Sequence, residues 1–255
     1  MMTNHIAFYQ FCSAVRRKAA LALCLALCTL GLALSASAQV PTIITINPAG
    51  AGTGAGQGTQ GPGINPVGAI TGFYSDSNNV MHGFLRAPDG TTTTFDAPGA
   101  GSETVSECFY MTSAGVYGGQ GTYGISINYA GAISGAYIDN DNVLHGFLRA
   151  PDGTFTTIDV PGAGTGPGQG TEAGNINSAG AIAGTYIDAS SVMHGFLRAP
   201  DGTITTFDVP GAGTGSGQGT IPLSNILGGK ITGVYIDNGN VIHGFLRPPT
   251  PPWFW

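Results

Sequence analysis

The sequence predicts an all-β protein, a β-propeller of four four-stranded blades of about 49 residues each, closed by its N-terminal strand. Three observations predict it. The decapeptide HGFLRAPDGT stands at 82–91, 145–154 and 194–203, and a shortened HGFLRPPT stands at 243–250. Between these copies, runs of β-branched and aromatic residues alternate with turn formers, and no stretch shows helical periodicity with caps. Finally, the last repeat breaks off after its third expected strand, and the missing piece stands at the start of the chain.

The N-terminus lies outside that fold. Arg16, Arg17 and Lys18 precede an apolar run from Ala19 to Leu34, which closes on Ala36-Ser37-Ala38 before Gln39. This is the layout of a cleavable secretory signal, predicted over 1–38, with export to the periplasm or the extracellular space. The Arg16-Arg17 pair leaves twin-arginine export open as the route. The apolar run of 16 residues is short for a membrane span of roughly 20, so no membrane insertion is expected after cleavage. Neither Cys24 nor Cys28 follows a small residue, which argues against lipidation.

Residues 39–255 then form a single repeat domain with 5 basic and 14 acidic residues, a net charge of −9. So acidic a chain, with scattered single arginines, is a poor partner for nucleic acid or an anionic membrane. Its one cysteine, Cys108, excludes a disulfide within the domain and reads as a small buried hydrophobe. A monomer is expected.

The period is set by two markers. His82, His145, His194 and His243 are spaced by 63, 49 and 49 residues, and so are Gln57, Gln120, Gln169 and Gln218 of the GQGT strings. Each Gln precedes its His by 25 residues. The longer first spacing reflects a 14-residue insertion within 102–117, which carries Glu103, Glu107, Cys108 and Tyr110. In the second repeat the expected strands are YGISIN (123–128), AISGAYID (132–139), VLHGFLRA (143–150) and TFTTIDV (154–160). The turns between them are YAG, NDN and PDG, and PGAGTGPGQGT connects to the next repeat. The fourth repeat has no such fourth strand: an atypical Pro/Trp tail, 248–255, follows Arg247. The segment TIITINPAGAGTGAGQGT (42–59) aligns with TITTFDVPGAGTGSGQGT (203–220), so residues 42–47 are expected to complete the last blade. Closure removes unpaired edges. A β-solenoid or a sandwich of repeats stays open as an alternative.

HGFLR is the sharpest motif. Strand alternation puts its His, Phe and Arg on one face. One His and one Arg per blade form the candidate ligand-binding set: His82, His145, His194, His243, Arg86, Arg149, Arg198 and Arg247. A residue repeated in every blade also solves a repeated packing problem, so the same side chains read as scaffold. On that reading Asp96, Asp159 and Asp208 are expected partners of the arginines, with Asn47 standing in for the last blade. Asp139 and Asp141, in the turn after Tyr137, are weak candidates for calcium. The other copies of that turn keep no second acid, and Asp and Asn favour turns in any case. No other cofactor is implied. The glycine strings lack a following helix or a Gly-Lys-Ser/Thr and read as connectors.

The pattern INxxGxIxGxYxDxxxxxHGFLxxxDGTxTTxDxPGA resembles the bacterial extracellular repeats named for a His-Ala-Phe motif, the HAF family, with Gly in place of Ala in all four copies. The resemblance spans roughly residues 42–247. It implies export and a propeller-like fold, and it supplies no reaction or catalytic residues. No CxxC, HExxH or GxSxG is present. The first expectation is therefore a secreted, non-enzymatic binding or surface-interaction module with a protein partner. The second is a multivalent lectin-like binder of extracellular polysaccharide. The third is a propeller hydrolase or lyase with its site near the 102–117 insertion.

Overall fold

The computed structural model describes residues 42–103, 110–112, 115–117 and 119–249. The expected signal peptide, Glu107, Cys108 and the end of the tail lie outside the described residues. The chain divides into two units, Met1–Thr45 and Ile46–Trp255, and every strand belongs to the second.

Turn chemistry cuts that unit into four repeats. The first holds β1 (Gly58–Ile64), β2 (Ile70–Ser75), β3 (Met81–Arg86) and β4 (Thr92–Phe95). The insertion carries a hairpin not expected from sequence, β5 (Tyr110–Thr112) and β6 (Gly115–Tyr117). The second repeat holds β7 (Gly121–Ile127), β8 (Ile133–Ile138), β9 (Leu144–Arg149) and β10 (Phe155–Ile158). The third holds β11 (Gly170–Ile176), β12 (Ile182–Ile187), β13 (Met193–Arg198) and β14 (Ile204–Phe207). The fourth has three strands: β15 (Gly219–Asn225), β16 (Ile231–Ile236) and β17 (Ile242–Arg247). None of the described residues is helical. The chain is all-β and propeller-like.

Within each repeat the strands form an antiparallel meander, as β7–β8–β9–β10 shows. Successive repeats join through one parallel bridge each: Met81 with Gly121, Leu144 with Gly170, and Met193 with Gly219. Fifteen strands thereby belong to one sheet. These bridges require glycine. Gly170 sits at φ +117°, and a Cβ there would come within 2.0 Å of the Leu144 carbonyl oxygen.

The repeats cover one another: Phe147 packs with Phe95 and Ala97 of the first repeat, and Phe196 with Ile158 and Val160 of the second. The Phe of HGFLR is fully buried in the first three copies (Phe84, Phe147 and Phe196). Burying such a ring stabilises the fold by about 1.5–3 kcal/mol. The preceding glycine is explained by its cross-strand neighbour. Phe95 pairs with Gly83, and a Cβ on Gly83 would stand 2.3 Å from that ring. Phe95 then reaches Phe147 of the next repeat edge-on, with ring centroids 6.3 Å apart, and Phe207 meets Phe245 in the same way.

The expected ring closure is not formed. Among the described residues, 42–48 carry no strand, β17 has no neighbour on its outer edge, and β1 and β15 are not packed together. The bridges string the repeats along one sheet path that places β1 and β17 at opposite ends.

The threonine of GQGT ties each repeat to the strand before it. Thr122, Thr171 and Thr220 accept through Oγ1 from the backbone N–H of Ala97, Val160 and Val209, at 2.9–3.0 Å. At the equivalent place before Thr59 stands Pro48, which has no N–H, and Thr59 Oγ1 is buried without a partner among the described residues. Thr171→Val should therefore cost about 1–3 kcal/mol by leaving the Val160 N–H unsatisfied, whereas Thr59→Val should cost little. Urea unfolding of the two variants beside the parent checks this. Equal losses would contradict the assignment.

Candidate functional site

The four histidines sit at the start of the third strand of their repeats, opposite the tyrosine that ends the second: His82 pairs with Tyr74, His145 with Tyr137, His194 with Tyr186 and His243 with Tyr235. Cross-strand pairing places each imidazole face to face with its tyrosine ring, at centroid distances of 4.8–5.2 Å. The tyrosine edge in turn lies beside the connector glycine, as Tyr137 does beside Gly99 (φ +94°). Burial raises the Tyr74, Tyr137 and Tyr186 hydroxyls above the ordinary tyrosine value, and nearby aspartates add to the effect.

Two carboxylates flank each of the first three histidines. Nδ1 meets Asp96, Asp159 or Asp208 at 2.9–3.0 Å. Nε2 faces Asp76 at 3.8 Å, Asp139 at 3.2 Å and Asp188 at 3.4 Å. This corrects the expected pairing of Asp96, Asp159 and Asp208 with the arginines. Each of these aspartates follows its Phe or Ile by one residue and so falls on the histidine's side of the sheet. His243 keeps Asp237, at 2.9 Å on Nε2, but its Nδ1 has no partner among the described residues, and Asn47 does not supply one.

The second carboxylate does two jobs. One oxygen of Asp76, Asp139, Asp188 or Asp237 accepts from two backbone N–H groups of the hairpin that follows; for Asp139 these belong to Asp141 and Val143, at 2.9 and 2.8 Å. The hairpin ends on a left-handed residue: Asn79, Asn142, Ser191 or Asn240. Burial raises the Asp188 carboxyl, but the Val192 and Ser190 N–H groups and His194 outweigh it and hold the group below its ordinary value. Asp76 is held low in the same way, and for the half-buried Asp237 the Val241 N–H is the main cause. The calcium candidate Asp139 is thus engaged as a turn cap. Among the described residues no group of three or more His, Cys, Asp or Glu is arranged to hold a metal.

The GQGT glutamines, which serve in the sequence only to mark the period, complete the cluster. Gln120 is 1% exposed. Its Oε1 accepts from the Glu103 N–H, while its Nε2 donates to Asn140 O and Asn142 Oδ1. Gln57 and Gln218 make the matching set, and Gln169 bonds Gly166 and Ala189. Connector and hairpin are thereby fixed to one another, and the GxG strings leave room for the glutamine: a Cβ on Gly101 would stand 2.5 Å from Gln120 Oε1. The constant 25-residue spacing from Gln to His was the signal of this contact. Glu103 itself is exposed at the edge of the insertion.

The arginines lie away from the histidines. Arg149 stacks over Phe95 of the preceding repeat, 4.9 Å from the ring centroid, and Arg247 over Phe207 at 4.7 Å. Nε and Nη1 of Arg149 and Nη1 of Arg247 are buried without hydrogen-bond partners among the described residues, and burial lowers both guanidinium groups from their ordinary value. Arg198 has Ile158 at the position of that aromatic ring and donates weakly to Ala199 O. Arg86 lies beside the turn glycine Gly90. The structure therefore does not gather His and Arg into one pocket. It gives the histidines to the hairpin end, and Arg149 and Arg247 to the joints between repeats.

No protein-family model matches the chain, and no curated protein matches it. Among solved structures it is similar to a streptogramin B lyase, with 18% identity and a TM-score of 0.37 over 73% of this chain and 53% of that one. The chain spans about half the length of that protein, and a likeness of this degree carries no argument about activity.

Hydrogen bonding to Asp159 raises His145 above its ordinary value; burial opposes this, and the Asp159 charge and Asp139 add to it. A folded value above the unfolded one, about 6.5, means that the ring's contribution is fully present below about pH 6.5. It is lost as pH rises through the folded value. Thermal unfolding across that range should show the loss, and His145→Gln should flatten the profile; an unchanged slope in the variant would refute the assignment. At the repeat joint, Arg149→Met should leave stability nearly unchanged, because a thioether side chain fills the same groove without desolvating a charge. Phe95→Ala should cost about 3–5 kcal/mol. Denaturant midpoints of the two variants check both.

Proposed function

We propose that this chain is a non-enzymatic binding or surface-interaction module of HAF-type repeats, acting after export. One observation carries the reading: the side chains that recur in every repeat are occupied in holding the repeat together, while the capped hairpin tips they support are exposed. Ser77 and Asn78, Asn140 and Asp141, Ala189 and Ser190, and Asn238 and Gly239 are the exposed tips. Each stands on the same aspartate cap. A general base needs a free ring nitrogen, and in His82, His145 and His194 both nitrogens face carboxylates. Four equivalent tips favour repeated weak contacts with an extended partner, where linkage multiplies affinity.

Tyr74 and Tyr137 are buried, so stacking of a sugar on these rings, which the lectin-like reading needs, finds little support. A protein partner is the better match. The test sets immobilised cell-surface protein fractions beside a glycan and polysaccharide array, with and without calcium. Retention on protein that falls stepwise as Asn78, Asp141, Ser190 and Asn238 are each changed to bulky residues supports the reading. Binding confined to glycans, or retention untouched by all four changes, would move the function elsewhere on the molecule.

A further inference from the structure

The fourth repeat exposes what the other three bury. Ile242 and Leu246 of β17 are 63% and 64% exposed, whereas Leu144 and Leu197 at the matching positions are 1% and 8% exposed. Gly244 has open space beside it, whereas Gly195 lies under the ring of Phe207. Among the described residues β17 lacks two neighbours: a following repeat, such as the one that bridges Leu144 and packs Ile231 against Leu197, and a fourth strand, such as the one that lies over Gly195. In the third repeat β14 supplies it, pairing Ile204 with Arg198, Thr205 with Leu197, Thr206 with Phe196 and Phe207 with Gly195. On β17 that register has no occupant among the described residues, and a groove of about 230 Å³ lies open between Phe207, Asp208, Phe245, Leu246 and Arg247. In the second repeat the equivalent space is filled by Phe155 of β10, 6.0 Å from Phe95 and 5.4 Å from Phe147.

One segment of the chain has the sequence for that place. In TIITIN (42–47), Ile43 aligns with Ile204, Ile46 with Phe207 and Asn47 with Asp208. Laid on β17 in the register of β14, Ile43 would enter the groove beside Arg247 and Ile46 would cover Gly244. Asn47 would offer an acceptor to His243 Nδ1, the one Nδ1 of the four repeat histidines without a partner among the described residues. Residues 46–48 lead straight into the first repeat, where Pro48 is buried and Gly50 lies beside Tyr74. β17 stands at the far end of the sheet path, and β1 and β15 are not packed together.

We propose that the free edge of β17 is completed by residues 42–47 of a second copy of this chain, which adds the fourth strand of the last repeat in trans. Each copy then carries one donor strand and one acceptor edge, so the association is head-to-tail and either closes on itself or extends. On this proposal the chain associates, where the sequence predicts a monomer.

The full chain should show, by size-exclusion chromatography with light scattering, a mass of two or more copies that rises with concentration. Ile43→Asp combined with Ile44→Asp should return it to the monomer with an unchanged circular dichroism spectrum. In a background with Cys24, Cys28 and Cys108 replaced by Ser, chains carrying Ile46→Cys alone and Gly244→Cys alone should form a disulfide-linked pair when co-expressed. A monomer at every concentration overturns the proposal. So does association that survives the Asp substitutions, or a chain carrying both cysteines that cross-links at monomer mass.

Discussion

The fold depends on one constraint: each four-stranded repeat leaves a sheet face that only another repeat can cover. Phe147 and Phe196 are lost from water in clusters that include residues of the repeat before their own. The same constraint sets the glycines. A strand that must lie under a ring, as Gly83 lies under Phe95, or within bridging distance of a carbonyl, as Gly170 lies beside Leu144, has no space for a Cβ. The high glycine content, 43 of 255 residues, is the record of close backbone approach in a chain otherwise rich in β-formers.

The hairpin end of each repeat is held by a different chemistry. One aspartate caps the hairpin with one oxygen and faces the histidine with the other, a second aspartate holds the opposite ring nitrogen, and a glutamine fastens the connector to the same turn. These groups depend on one another. The cap fixes the aspartate, the aspartate orients the imidazole, and the stacked tyrosine fixes its plane. Invariance across the repeats therefore marks mutual support, and the freedom to vary lies at the exposed tips.

The repeat length, the order of four strands, the turns at PDG and the connectors at PGAG were legible in the sequence because each depends on local residue chemistry. The strands expected at 123–128, 132–139, 143–150 and 154–160 appear at 121–127, 133–138, 144–149 and 155–158. The partners of the candidate residues were less legible. Asp159 was assigned to Arg149 by charge, yet strand alternation puts it beside His145, while Arg149 crosses to Phe95 in another repeat. Gln120 looked like a period marker because its partners, Asn140 and Asn142, lie 20 and 22 residues away.

The sequence by itself determined the all-β class, the period and the internal meander of each repeat, since alternation and turn residues act within a few positions of the chain. Only the tertiary structure decided how the repeats meet. It showed bridges of a single residue pair between them, arginines stacked on rings rather than paired with acids, and a last strand edge left open. The reason is physical. A repeated sequence states the same faces four times, but the angle at which one face settles on the next depends on side-chain packing, and that angle decides whether the first repeat meets the last.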